Sequence, residues 1–141
     1  MFFIPGNKYV VLGASTSPFK FGNKILQWYI KNKLPVTPIN PSCNQVLNLE
    51  SYSTLNEYLK TLKDDKVSIS VVTPPAVSYD LFKEVKDSGN DDKINAIWFQ
   101  PGSYDDKVIK YVKNEIGIKE DSIISDGDCI LISGKFKLKN I

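Results

Sequence analysis

The sequence predicts an α/β protein: a Rossmann-like, doubly wound, mainly parallel sheet of five to six strands with helices on both faces. Three observations carry this. Short apolar runs, rich in β-branched residues, alternate with longer amphipathic segments along the chain. The first run, Val10-Val11-Leu12, stops at Gly13 and gives way to the small, hydroxylated turn Ala14-Ser15-Thr16-Ser17. That is the pattern of a first βα turn that holds phosphate, since small residues let backbone N–H groups approach an anion and the next helix aims its positive end there. Later runs also end in stiff turns, at Asn40-Pro41-Ser42, Thr73-Pro74-Pro75 and Gln100-Pro101-Gly102. Right-handed crossovers then leave few topologies, and a parallel sheet covered on both faces is the expected one.

Tyr9 to Leu12 is the first expected strand. The first helix is expected over Asn23 to Lys33, with Ile25, Leu26, Tyr29 and Ile30 on its inward face, and Leu34-Pro35 breaks it. Val36 to Ile39 is the second strand, interrupted by Pro38 and stopped at Asn40-Pro41. The polar stretch Asn40 to Ser51 has room for a short extra strand around Val46-Leu47. Ser53 or Thr54 caps a helix carrying Leu55, Tyr58, Leu59 and Leu62.

Val67 to Val72 is the third main strand. The Pro74-Pro75 pair suits a helix start, and the helix is expected from about Ala76 to Lys86, burying Val77, Leu81, Phe82 and Val85. Ser88 to Asp92 forms a polar loop, and Ile94 to Phe99 the fourth strand. Ser103 is expected to cap a helix through Glu115 with Val108, Ile109 and Val112 inward. Ser122 to Ser125 is a short fifth strand. Cys129 to Ile132 fits either a last strand or a helical turn.

The 141 residues suit one domain, expected over 1–141, and hydrophobic and charged fractions of 42% and 24% are those of a soluble globular chain. Eighteen basic and sixteen acidic side chains are interspersed, which is no nucleic-acid footprint; Lys135, Lys137 and Lys139 read as a solvated tail. No apolar run approaches the ~20 residues of a membrane span, so no membrane partner is expected. Met1-Phe2-Phe3-Ile4-Pro5-Gly6 does not read as a signal peptide. Cys43 and Cys129 lie far apart, so a reducing, cytoplasmic setting is expected rather than a disulfide framework.

The chain contains no histidine, which excludes a Ser-His-Asp or Cys-His nucleophile, a phosphohistidine intermediate and a histidine-bound zinc. No catalytic residue and no metal site is assigned. Cys129 reads as a small buried side chain. Asp126 and Asp128 flank Gly127 and read as turn residues.

Gly13 permits positive φ or close backbone approach, Ser15 and Thr16 donate from their hydroxyls, and Lys20 and Lys24 flank the turn with positive charge. The turn is not the dehydrogenase fingerprint, because Ser15 and Pro18 stand where G-x-G-x-x-G needs glycine. Asn40 stands where an acid would grip the ribose of NAD, and no GK[ST] follows Gly13.

Five segments then occur in a telling order: Val11-Leu12-Gly13-Ala14-Ser15 with Ser17-Pro18 and Phe21-Gly22; Val36-Thr37-Pro38-Ile39-Asn40-Pro41; Val71-Val72-Thr73-Pro74-Pro75; Ile97-Trp98-Phe99-Gln100-Pro101-Gly102; and Asp128-Cys129. Over roughly residues 8–132 the chain resembles the small single-domain CoA-binding proteins of Rossmann type. These are similar to the N-terminal CoA-binding domain of the succinyl-CoA synthetase alpha subunit. The resemblance implies coenzyme A, acyl-CoA or a CoA-like adenine nucleotide as ligand. By position it implies Gly13, Ala14, Ser15, Thr16 and Lys20 toward phosphates, with Phe21 and Gly22 completing that motif. It implies Asn40 and Pro41 beside the adenosine part, Thr73, Pro74 and Pro75 along the pantetheine path, and Gln100 at the rim. The chain departs from the family in a charged insertion over Lys86 to Lys93, and in having no basic residue just after Asn40-Pro41.

The expectation is a binding domain that performs no chemistry alone. Two alternatives stand beside it. One is an NAD(P)-binding oxidoreductase-like domain, with Tyr104 or Lys107 as the nearest thing to a proton donor. The other is a protein-interaction module with a vestigial nucleotide groove. A homodimer is expected on base rates alone.

Overall fold

In chain order the computed structural model, which describes residues 1–139, runs β1 (Lys8–Leu12), α1 (Phe21–Lys31), β2 (Val36–Ile39), a hairpin of β3 (Gln45–Val46) and β4 (Leu49–Glu50), α2 (Leu55–Leu59), β5 (Val67–Val71), α3 (Pro75–Asp87), β6 (Ile94–Phe99), α4 (Asp106–Asn114), β7 (Ile123–Ile124) and α5 (Ile130–Leu138). The expected span 1–141 thus runs past the described residues at 140 and 141. Five strands form one sheet in the order β2-β1-β5-β6-β7, every neighbour pair parallel. This is the doubly wound α/β fold, and the winding reverses between β1 and β5.

The core has two layers because both sheet faces are covered. Above one face lie α1, α5 and the N-terminal segment, enclosing Phe3, Tyr9, Val11, Leu26, Tyr29 and Trp98. Above the other lie α2, α3 and α4, enclosing Leu12, Leu59, Ile69, Phe82, Phe99 and Val112. Alternation along β1 and β6 sends successive side chains to opposite layers, so residues 9–12 and 96–99 read as continuous apolar runs. Each large side chain so buried contributes roughly 1.5–3 kcal/mol.

β5 carries two serines in this dry setting, and each has a reason. Ser70 Oγ lies 2.6 Å from the Tyr29 hydroxyl of α1. Ser68 Oγ donates to the Phe2 carbonyl at 2.6 Å and accepts from Asn7 Nδ2 at 2.8 Å. Burial raises the Tyr29 phenol above its ordinary value, so it stays a neutral hydrogen-bonding group. Serine thus leaves room for a tyrosine ring and fastens the N-terminal segment to the sheet.

Several expectations shift by a turn or a face. Ile30 of α1 is 41% exposed rather than inward. In α3 the inward positions are Ser78, Phe82 and Val85, so Val77 points out at 45% exposure and Leu81 is half-buried. Ser78 takes the place expected for Val77 because its hydroxyl closes onto the carbonyls of Thr73 and Pro74 at 3.1 Å each. Thr54 caps α2 through the Glu57 N–H, as the sequence suggests. At α4, however, Asp105 and not Ser103 is the cap. Ser103 is buried and donates to the Gln100 carbonyl at 2.7 Å.

The extra strand expected near Val46 is one arm of the β3–β4 hairpin, which turns through Leu47 and Asn48 at φ +51° and +66°. Pro38 sits in β2, where an edge strand tolerates a missing N–H. Cys129 to Ile132 resolves as the start of α5. Asp126 and Asp128 do form a turn, Asp126 Oδ1 accepting the Asp128 N–H at 3.1 Å. Among the described residues no helix is long and apolar enough to cross a membrane.

Helix α5 approaches α1 at Gly134, where an added Cβ would lie 2.6 Å from Trp28 Cζ2 and 2.7 Å from Ile130 Cγ1. Gly134→Ala is therefore expected to destabilise the fold by ~1–2 kcal/mol through overpacking. Urea unfolding would give the size, and a shift in tryptophan emission retained in a Trp98→Phe background would place the strain at Trp28.

Candidate functional site

The switch point between β1 and β5 is where ligands of open α/β sheets bind. Two glycines shape it. Gly13 follows β1 at φ +96°, and a Cβ there would lie 3.0 Å from both the backbone nitrogen and the Cγ2 of Thr73. Gly22, in the first turn of α1, would place a Cβ 2.1 Å from the Gly13 carbonyl oxygen. Absent side chains thus let α1, the β1 turn and the end of β5 close on one another.

The β1–α1 turn is fixed from within. The N–H groups of Gly13 and Ala14 both donate to the Ile39 carbonyl at the end of β2, at 3.3 and 3.2 Å. They face protein, not an open groove, so within Gly13 to Thr16 the first two amides are already occupied. Asn40 Nδ2 donates to the Ala14 carbonyl at 2.9 Å, and Asn23 Nδ2 to the Ser15 carbonyl at 2.9 Å. In a trans peptide the C=O and the following N–H point opposite ways. Pulling the Ala14 and Ser15 carbonyls inward therefore turns the N–H groups of Ser15 and Thr16 outward. Among the described residues those two amides, and those of Phe21 and Gly22 in the first helical turn, have no intramolecular acceptor.

Electrostatics favour an anion here. The N-cap of α1 is Lys20, extended at φ −93° and ψ 150°, with no side-chain capping bond and no acid in the first turn. By contrast α2 and α4 carry Thr54 and Asp105 as caps with Glu57 and Asp106 behind them. The open end of α1 keeps its partial positive charge, and the exposed Lys20 and Lys24 add to it. Ser15 Oγ accepts the Ser17 N–H at 3.1 Å, so its own proton remains free to donate.

The remaining predicted residues divide. Asn40 joins the turn directly, and its Oδ1 also accepts the Ser42 N–H at 2.7 Å, which holds exposed Pro41 at the rim. Thr73 meets Gly13, while its Oγ1 lies 2.7 Å from Ser78 Oγ. Pro74 and Pro75 start α3, as cap and first residue. Gln100 does not open to the rim: it is only 3% exposed, and its Oε1 accepts the Ile130 N–H of α5 at 2.9 Å. Its Nε2 is buried with no hydrogen-bond partner among the described residues. Sequence reasoning missed Asn23 and Ser78. An asparagine in the first turn of a helix, and a serine five residues after a strand-ending threonine, were the available signals.

Gly22→Ala should cost ~3 kcal/mol, at the upper end of overpacking penalties, because the obstacle is backbone. Away from such a contact the same change in a helix gains up to ~1 kcal/mol. A chemical denaturation curve decides between the two signs.

Residues 7–135 match the family described as the CoA binding domain. Among solved structures, a conserved hypothetical protein from Pyrococcus furiosus is 28% identical with a TM-score of 0.72, over 90% of this chain and 98% of that one. A hypothetical protein from Pyrococcus horikoshii OT3 is 20% identical with a TM-score of 0.73, over 92% of this chain and 82% of that one. A protein from Thermus thermophilus is 22% identical with a TM-score of 0.72, over 92% and 89% of the two chains. No curated protein matches the sequence. The family match spans most of the chain and the fold is shared with these structures: the chain belongs to the CoA binding domain family.

Proposed function

We propose that this domain holds coenzyme A or an acyl-CoA at the β1/β5 switch point, as a binding module without chemistry of its own. One observation carries the reading: the uncapped, lysine-flanked start of α1 with the outward amides of Ser15, Thr16, Phe21 and Gly22. That donor set fits a diphosphate, which needs several N–H donors and positive charge in one place. Lys20 and Lys24 would balance its charge, and the hydroxyls of Ser15 and Thr16 would donate to its oxygens. Asn40 and Pro41 would border the adenosine part. Thr73, Pro74 and Pro75 would guide the pantetheine arm, and the buried Gln100 amide would support that side from below. The hydroxyls at the turn have no histidine in the chain to activate them, which supports binding rather than catalysis.

The first test is calorimetric titration with CoA, acetyl-CoA, NAD and NADP. Micromolar CoA binding supports the reading; preference for a nicotinamide cofactor, or no heat with any CoA species, overturns it. Gly13→Asp should abolish binding, with circular dichroism to show that the fold survives. Lys20→Asp gives a cleaner control, because Lys20 is exposed and its extended backbone suits a capping aspartate. It should stabilise the protein by ~0.5–1 kcal/mol while weakening CoA at least ~10-fold, since a carboxylate would occupy the anion's place. Stability and affinity moving in opposite directions is an outcome that general damage to the fold does not produce.

A further inference from the structure

We propose that Phe19 and Phe21 form an aromatic platform for the adenine ring of the ligand, an assignment that rests on the CoA reading above. Phe19 is 88% exposed and Phe21 54% exposed, and they bracket Lys20 at the start of α1. Among the described residues neither ring contacts another aromatic ring, whereas Phe2, Phe3, Phe82 and Phe99 all do. The local structural roles for such residues are also unfilled. A phenylalanine just before a helix cap ordinarily packs on the fourth helical residue, but that residue is the exposed Lys24. The buried face of α1 is made by Gly22, Asn23, Ile25, Leu26 and Tyr29, and excludes Phe21.

Position selects adenine over the pantetheine arm. Helix α1 is the crossover from β1 to β2, so its first turn lies on the β2 side of the switch point. Asn40, at the end of β2, bonds the Ala14 carbonyl in the loop that leads from β1 into α1. A diphosphate on the amides of Ser15, Thr16, Phe21 and Gly22 sends one arm toward Asn40 and the other toward Thr73. The arm toward Asn40 runs beside the two phenylalanines, and a purine is the part of the ligand that gains from a flat apolar surface. The Phe-Lys-Phe order then sets a cation for phosphate between two rings for a base.

The test titrates the full chain with CoA, with 3′,5′-ADP, which lacks the pantetheine arm, and with 4′-phosphopantetheine, which lacks the base. Phe19→Ala/Phe21→Ala should weaken CoA and 3′,5′-ADP by ~10- to 100-fold and leave 4′-phosphopantetheine unchanged. Both rings are exposed, so an unchanged melting temperature is expected of the double variant. Phe19→Trp should keep the affinity and show emission quenched by 3′,5′-ADP beyond the response of the parent protein. CoA bound equally by parent and double alanine variant overturns the platform and leaves the CoA reading standing, as does a loss shared equally by 4′-phosphopantetheine. A parent protein that binds no CoA overturns the reading itself, before any variant is made.

Discussion

The close approach of α1 to the β1 turn is the contact on which the rest of the structure depends. A Cβ on Gly22 would meet the Gly13 carbonyl at 2.1 Å, and one on Gly13 would meet Thr73 at 3.0 Å. No other residue type fits either place without moving backbone. The helix therefore begins directly over the switch point instead of beside it. Two asparagines then hold the turn's carbonyls, Asn40 from β2 and Asn23 from α1. Because a peptide unit is rigid, fixing a carbonyl also aims the next amide, so outward donors arise from inward acceptors. Each bond is worth on the order of 1 kcal/mol to stability, yet together they set the direction of the donor set.

Charge at the helix starts tells the same story in another currency. The starts of α2 and α4 satisfy themselves with a hydroxyl or carboxylate from their own chain. The start of α1 does the opposite and places a lysine at the cap. In isolation that arrangement gives up the ~1 kcal/mol a good cap supplies and sets a cation near the positive helix end. A bound anion reverses both terms. The local sequence thus leaves the start of α1 less well satisfied in the free protein than the starts of α2 and α4.

Much of the fold was legible because hydrophobic periodicity and punctuation agree along the chain. Strands ending at Gly13, Asn40, Thr73 and Gln100 were readable, since each run is mostly apolar or β-branched and stops at a turn residue. What sequence alone misplaced was decided by polar groups with long-range partners. Ser78 turned inward where Val77 was expected, because three carbonyls converge on its hydroxyl. Ser103 gave up the capping role to Asp105 because the Gln100 carbonyl lay within its reach. At the site, residue types identified the turn but not which amides are free, because that depends on the Ile39 carbonyl arriving from another strand.

These polar bonds also give the switch point two unlike halves. On the β2 side the side chains of Asn23 and Asn40 turn backbone donors outward, and lysines and phenylalanines stand exposed. On the β6 side Thr73, Ser78 and Ser103 satisfy one another, and Gln100 gives its oxygen to α5. The β2 side thus carries exposed cations and aromatic rings, and the β6 side carries prolines and a hydroxyl network. Gln100 Nε2 lies at the base of this side, buried and without a partner among the described residues.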